Sequence, residues 1–164
     1  ASAGGAKAKW DEVKAAEREK KAERKGRTAS ILDDVAHTLP ALARAEKLSK
    51  RAAKVGFDWP TLDEVTAKVQ EELGEVGEAA AGGNPAQVHE EVGDLLFAVA
   101  NLARKLGVDP EAALRDANQK FTRRFLHVEQ RATEDGIALE AAGLERLDGY
   151  WNEIRAAEKD SASG

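Results

Sequence analysis

The sequence predicts an all-α fold, and three observations carry that reading. Alanine, leucine, glutamate, lysine and arginine dominate its 164 residues, and these are strong helix formers. Apolar residues recur at three- and four-residue spacing, and no segment alternates β-branched residues as a half-buried strand would. Glycine and proline cut the chain into helix-length pieces, at Gly26, Gly56, Gly83, Pro85, Gly107 and Pro110.

The elements follow in order. A polar leader helix is expected near 9–25, ended by Gly26, and then an aperiodic connector, RTASILDDVAHTLP. ALARAEKLSKRAAKV predicts a helix over 41–55 that stops at Gly56. After the break FDWP, Thr61 is a plausible N-cap for a helix over 61–81. GGNP ends that helix and lets Pro85 open the next, over 85–106. Asp109 and Pro110 begin a helix over 110–134, and a last helix is expected over 139–158, with KDSASG as a frayed tail. The domain organisation read from this is a basic leader over 1–27, one folded domain over 28–158, and the tail over 159–164.

Composition narrows the function classes. Hydrophobic residues at 42% and charged residues at 34% suit one globular domain with a real core. No apolar run approaches the roughly 20 residues of a spanning helix, so no membrane partner is expected. There are no cysteines, hence no disulfide, thiolate nucleophile or Cys-type zinc site, and a cytoplasmic location fits best. Residues 1–27 carry nine Lys/Arg against five Asp/Glu, while the rest carries 16 against 25. An acidic body argues against nucleic acid as the main partner.

The acids are not evenly spread. In EELGEVGEAAAGGNPAQVHEEVGDLLF, residues 71–97, Glu72 and Glu75 stand three apart before a turn, and Glu91 and Asp94 three apart after it. Leu62, Val65, Val69, Leu73 and Val76 mark the apolar stripe of the first helix. Val88, Val92, Leu95, Leu96, Val99, Leu102, Ala103 and Leu106 mark that of the second. At about 100° per residue, Glu72 and Glu75 share one flank of the first stripe, and Glu91 with Asp94 share one flank of the second. Glu71, Glu78 and Glu90 point away. A short turn makes the helices antiparallel neighbours and brings the pairs together. Four carboxylates so gathered need a positive partner; oxygen donors without histidine or cysteine suit Mg²⁺ or Mn²⁺. Chance E-x-x-E pairs on a solvated face are the plainer explanation for either pair taken alone.

The helix after them carries ANQKFTRRF, residues 117–125. Lys120 and Arg124 stand one turn apart on one flank of its stripe, Arg123 faces water, and Asn118 lies on the opposite flank. Two cations near an acidic metal cluster would suit phosphate oxygens; on a surface they would form ordinary ion pairs. Trp151, in the spacing Leu144, Leu147, Trp151, Ile154, reads first as core, and Trp59 as a plug at a helix junction. There is no phosphate loop and no nucleophile elbow, and His37, His89 and His127 have no triad context.

EELGEV, EEVGDLLFAVANLARKLG and ANQKFTRRF together resemble the MazG family of nucleoside triphosphate pyrophosphohydrolases. LPALARAEKLSKRAAKVGFDWP and LDGYWNEIR extend the likeness over about residues 10–158. The resemblance is to the C-terminal half of a two-domain bacterial protein with its linker. It implies a MazG-type helical bundle completed by homodimerisation, and Mg²⁺-dependent cleavage of a nucleoside triphosphate to monophosphate and pyrophosphate. Mn²⁺ would be the substitute metal. By the same resemblance Glu72, Glu75, Glu91 and Asp94 match the catalytic metal ligands. Lys120 and Arg124 match phosphate contacts, Trp151 lines the nucleotide pocket, and Asn118 joins the substrate-binding set. Competing readings are a narrower dUTP, dCTP or phosphoribosyl-ATP pyrophosphohydrolase, and a helical dimerisation or regulatory module without turnover.

Overall fold

The computed structural model describes residues 3–24, 26 and 28–161, and among these it is all-α. The helices are α1 (Ala3–Arg24), α2 (Ala41–Ala53), α3 (Leu62–Gly82), α4 (Pro85–Lys105), α5 (Pro110–Glu134), α6 (Leu139–Ala142) and α7 (Leu144–Ser161). The chain forms two compact units, residues 1–111 and 112–164, where the sequence suggests one domain over 28–158. The expected leader boundary at 27 and the residues 162–164 of the expected tail lie outside the described residues. Helix α7 itself runs on through Ser161.

In the first unit, α4 packs against both α3 and α2. The start of α3 is fixed by a capping box: Glu64 N–H donates to Thr61 Oγ1 (3.3 Å), and Thr61 N–H donates to the Glu64 carboxylate (3.0 Å). Its end is fixed by Gly83 at φ 71°, a left-handed conformation that costs glycine little. Asn84 then caps α4, its Oδ1 accepting from Ala86 N–H (3.1 Å), with Pro85 at the first helical position. The connection is therefore the two residues Gly83 and Asn84. Glu75 and Glu91 each lie about two turns from it, so the turn chemistry itself sets the acid pairs abreast.

Burial departs from the helical-wheel expectation. Val65 is fully buried, but Leu73 is 59% exposed and Leu62, Val92, Leu96 and Val99 are exposed as well. Two helices with α2 at their back cover only part of the stripes. What closes over at α4 is small or polar: Ala98, Ala100 and Asn101. At the corner before α3, Asp58 accepts from Arg104 (2.6 Å) and Lys105 (3.2 Å), and Lys105 also donates to the Trp59 carbonyl (2.7 Å).

The second unit buries Val128, Ala132 and Tyr150, with Leu139, Leu147 and Trp151 packed around them. The helix expected over 139–158 is broken at Gly143, where φ 75° and ψ 155° are not helical values and suit only glycine. α6 is thus a single turn leading into α7.

Candidate metal and nucleotide site

The acid pairs lie on facing flanks of α3 and α4. One carboxylate oxygen from each of Glu72, Glu91 and Asp94 falls within 4.8 Å of the others. Glu72 is buried at 6% exposure, Glu91 half-buried and Asp94 exposed, a gradient running from the helix seam to solvent. Glu75 is half-buried and stands beside Glu72, outside that triad. Glu71, Glu78 and Glu90 are exposed, as their phase on the wheel requires.

The electrostatics single out Glu72. Lys68, one turn earlier on α3, places its ammonium 2.6 Å from Glu72 Oε1 and 2.9 Å from Glu71 Oε1. Hydrogen bonding to Glu72, then to Glu71, raises the Lys68 ammonium above its ordinary value. Yet Glu72 Oε2 is buried with no hydrogen-bond partner, a costly position for a carboxylate oxygen. The neighbouring Glu72 carboxylate pushes Glu75 up from the ordinary 4.5, helped by burial and by the charge of Glu91 and opposed by Lys68. Three carboxylate oxygens within 4.8 Å of one another are close enough to close on one hard, oxygen-bound cation. Glu72 also keeps a buried oxygen without a partner, which a cation at this carboxylate would satisfy, so the residues present fit a divalent metal.

One cleft borders the triad, and a second adjoins that cleft. A small one, about 90 Å³, is bounded by Lys68, Glu72 and Asp94 and walled by Trp59, Phe97 and Asn101. A more apolar one, about 240 Å³, shares those last three residues and reaches Leu48 and Arg104. Trp59, read from sequence as a plug, is a wall of both.

The remaining predicted residues lie in the second unit. Arg124 donates to Glu158 (Nε, 2.9 Å; guanidinium, 2.8 Å) and sits 5.7 Å from the Trp151 ring centre. Arg123 takes the other Glu158 oxygen (2.8 Å), and these two arginines hold the Glu158 carboxyl below its usual range. Trp151 is half-buried, 5.4 Å from Phe121 between ring centres, so it belongs to the core edge as well as to a surface. Lys120 and Asn118 are exposed.

Sequence reasoning passed over Lys68, Phe97 and Asn101. Lys68 was legible as the i−4 neighbour of Glu72. Asn101 follows Asp94 by seven residues, two helical turns, which returns it to the same flank.

Residues 61–129 match the MazG nucleotide pyrophosphohydrolase domain. The chain is 45% identical over 155 residues to the nucleoside triphosphate pyrophosphohydrolase of Escherichia coli strain K12, covering 93% of this chain and 57% of that protein. It is 39% identical over 150 residues to the nucleoside triphosphate pyrophosphohydrolase/pyrophosphatase MazG of Thermotoga maritima, covering 92% and 55%. The uncharacterized protein YabN of Bacillus subtilis is 42% identical over 155 residues, covering 94% and 30%. The chain thus spans about half the length of the first two relatives.

Proposed function

We propose that this chain, whose residues 61–129 match the MazG nucleotide pyrophosphohydrolase domain, hydrolyses nucleoside triphosphates to monophosphate and pyrophosphate. The observation that carries the proposal is the convergence of one oxygen each from Glu72, Glu91 and Asp94, beside which stands a Glu72 oxygen that is buried without a partner. Glu72, Glu75, Glu91 and Asp94 would hold Mg²⁺, or Mn²⁺ in its place, and the ion would supply Lewis-acid chemistry toward the phosphates.

The protein's own groups have separable tasks in this scheme. Glu72, fixed by Lys68 and burial, anchors the site to the helix seam. Glu75, raised by its neighbour, is the carboxylate best suited to take a proton from water as the water oxygen attacks the α-phosphorus. The bond from that phosphorus to the bridging oxygen breaks, and pyrophosphate leaves with the electron pair. Lys120 and Arg124 offset charge on the departing phosphates, which for Arg124 means exchanging some of its bonding to Glu158. Trp151 and Asn118 complete the substrate contacts.

The active form in this proposal is a homodimer. Support comes from the open stripe of α3 and α4: Leu73, Val92, Leu96 and Val99 are too exposed for a face with no occupant. A second copy would cover it with the same surface. A cytoplasmic setting is proposed with it; among the described residues no helix is long and apolar enough to cross a membrane.

The test is one incubation with a nucleoside triphosphate and Mg²⁺, products separated. Monophosphate plus pyrophosphate is expected; diphosphate plus phosphate would overturn the assigned bond, and no turnover with any triphosphate would favour the non-catalytic module.

A further inference from the structure

Asn101 is 2% exposed, yet it lines both clefts. A buried side-chain amide needs partners for an acceptor oxygen and two N–H donors. Its oxygen is taken: Arg104 Nε donates to Asn101 Oδ1 at 2.9 Å. Guanidinium cannot accept a hydrogen bond, so this contact fixes which end of the amide faces Arg104. Arg104 is itself held by Asp58 at 2.6 Å, and Asp58 is further held by Lys105. The amide therefore cannot turn over without breaking a chain of charged contacts. No group among the described residues accepts from Asn101 Nδ2. The fold presents an oriented donor, and only a donor, on clefts that Trp59 and Phe97 also line.

Trp59 and Phe97 give both clefts aromatic walls. Flat aromatic faces suit a heteroaromatic ring. At about 240 Å³ the larger cleft falls below the roughly 300–1,000 Å³ of pockets for drug-sized ligands. It suits one ring system rather than a whole nucleotide, and it adjoins the cleft bounded by Glu72 and Asp94.

We infer that Asn101 is a specificity residue that donates to an exocyclic carbonyl of the nucleobase, so that the enzyme prefers keto bases over amino bases. An amino group at the same place would set donor against donor and leave both unpaired in a buried site. This rests on the proposed pyrophosphohydrolase reading of the acid triad, and it adds base selection to it.

The experiment compares kcat/KM for two matched pairs, ITP against ATP and UTP against CTP, each differing at one carbonyl or amino position and its ring nitrogen. The wild-type protein is expected to favour the keto member roughly tenfold or more in each pair. Asn101→Leu should bring both ratios toward one. Asn101→Asp is nearly isosteric and still accepts from Arg104, but turns an acceptor toward the base; it should reverse the preference. Because each readout is a ratio within one preparation, partial loss of folded protein does not change it, and the isosteric variant serves if Asn101→Leu fails to fold. Flat wild-type ratios, or ratios unmoved in Asn101→Asp, would overturn the inference while leaving pyrophosphohydrolysis intact. Failure to hydrolyse any triphosphate would instead remove the reading beneath it.

Discussion

The α3–α4 hairpin and the α5–α7 pair are built from similar residues and treat charge in opposite ways. In α5–α7, Val128, Ala132 and Tyr150 are closed off, and the charges stay outside as paired ions, Arg131 with Glu134 and Arg123 with Glu158. In α3–α4 a carboxylate, Glu72, is buried, while both regions leave large apolar residues open, Leu73 and Leu96 in one and Phe121 and Leu126 in the other. The carboxyl groups respond in opposite senses: Glu158 is held below its usual range by arginines, and Glu75 is raised by its acidic neighbour. One arrangement stabilises a fold. The other stores electrostatic tension where a cation and a polyphosphate would relieve it.

The contrast breaks most visibly at Glu72. Glu72→Gln should lower kcat/KM for triphosphate hydrolysis about 100-fold or more, read as pyrophosphate release across a Mg²⁺ titration. Its counterpart, Val128→Ala, should leave the site's chemistry alone and cost about 2 kcal/mol of stability, read by urea unfolding. If Glu72→Gln behaved like Val128→Ala, destabilising without loss of turnover, the division between the regions would be wrong.

The open stripe is the next point of attack. Leu96→Glu should leave helix content intact by circular dichroism and shift the protein to single chains in sedimentation velocity. A wild-type protein that is already monomeric at tens of micromolar would remove the proposed homodimer.

How much of this the sequence discloses depends on what periodicity measures. Helical phase places Glu72 and Glu91 on the seam and sends Glu71, Glu78 and Glu90 to solvent, because phase is a local geometric property. The same wheel marks Leu73 and Leu96 as core. It registers that they are apolar, and cannot register that nothing within the hairpin covers them. Gly143 is invisible for another reason: glycine inside a helical pattern is tolerated, and only its backbone angles reveal a break. The joint roles of Trp59 and Asn101, distant in sequence, depend on the Asp58–Arg104 contact that brings the α3 corner to the end of α4.

Acidification sharpens the comparison with a smaller effect. The folded-state pKa of Glu158 is depressed, so its clamp contributes stability above the unfolded value near 4.5, and that contribution fades as pH falls through the lower folded value. Thermal melts of wild type and Glu158→Gln should therefore converge in acid and separate above pH 5. Glu75 carries the opposite sign: its folded pKa is raised above 4.5, so lowering pH through that raised value relieves a penalty present at neutral pH. In metal-free protein, Glu75→Gln should raise the melting temperature at pH 7 and lose that advantage toward pH 4.

The smallest change expected is at Gly74, inside α3, where an added Cβ would meet nothing within 4 Å. Gly74→Ala should stabilise the helix by up to about 1 kcal/mol, measurable as a modest rise in melting temperature. Lost dimerisation in that variant would mean that a second copy approaches the backbone there.

The bond between Lys68 and Glu72 bears on the order of events in the cell. A hairpin with its own resident counter-charge can assemble as the chain emerges, before magnesium reaches it. Loading of the proposed ion would then be a substitution at a finished surface, and its scarcity would idle the proposed reaction without unravelling the hairpin.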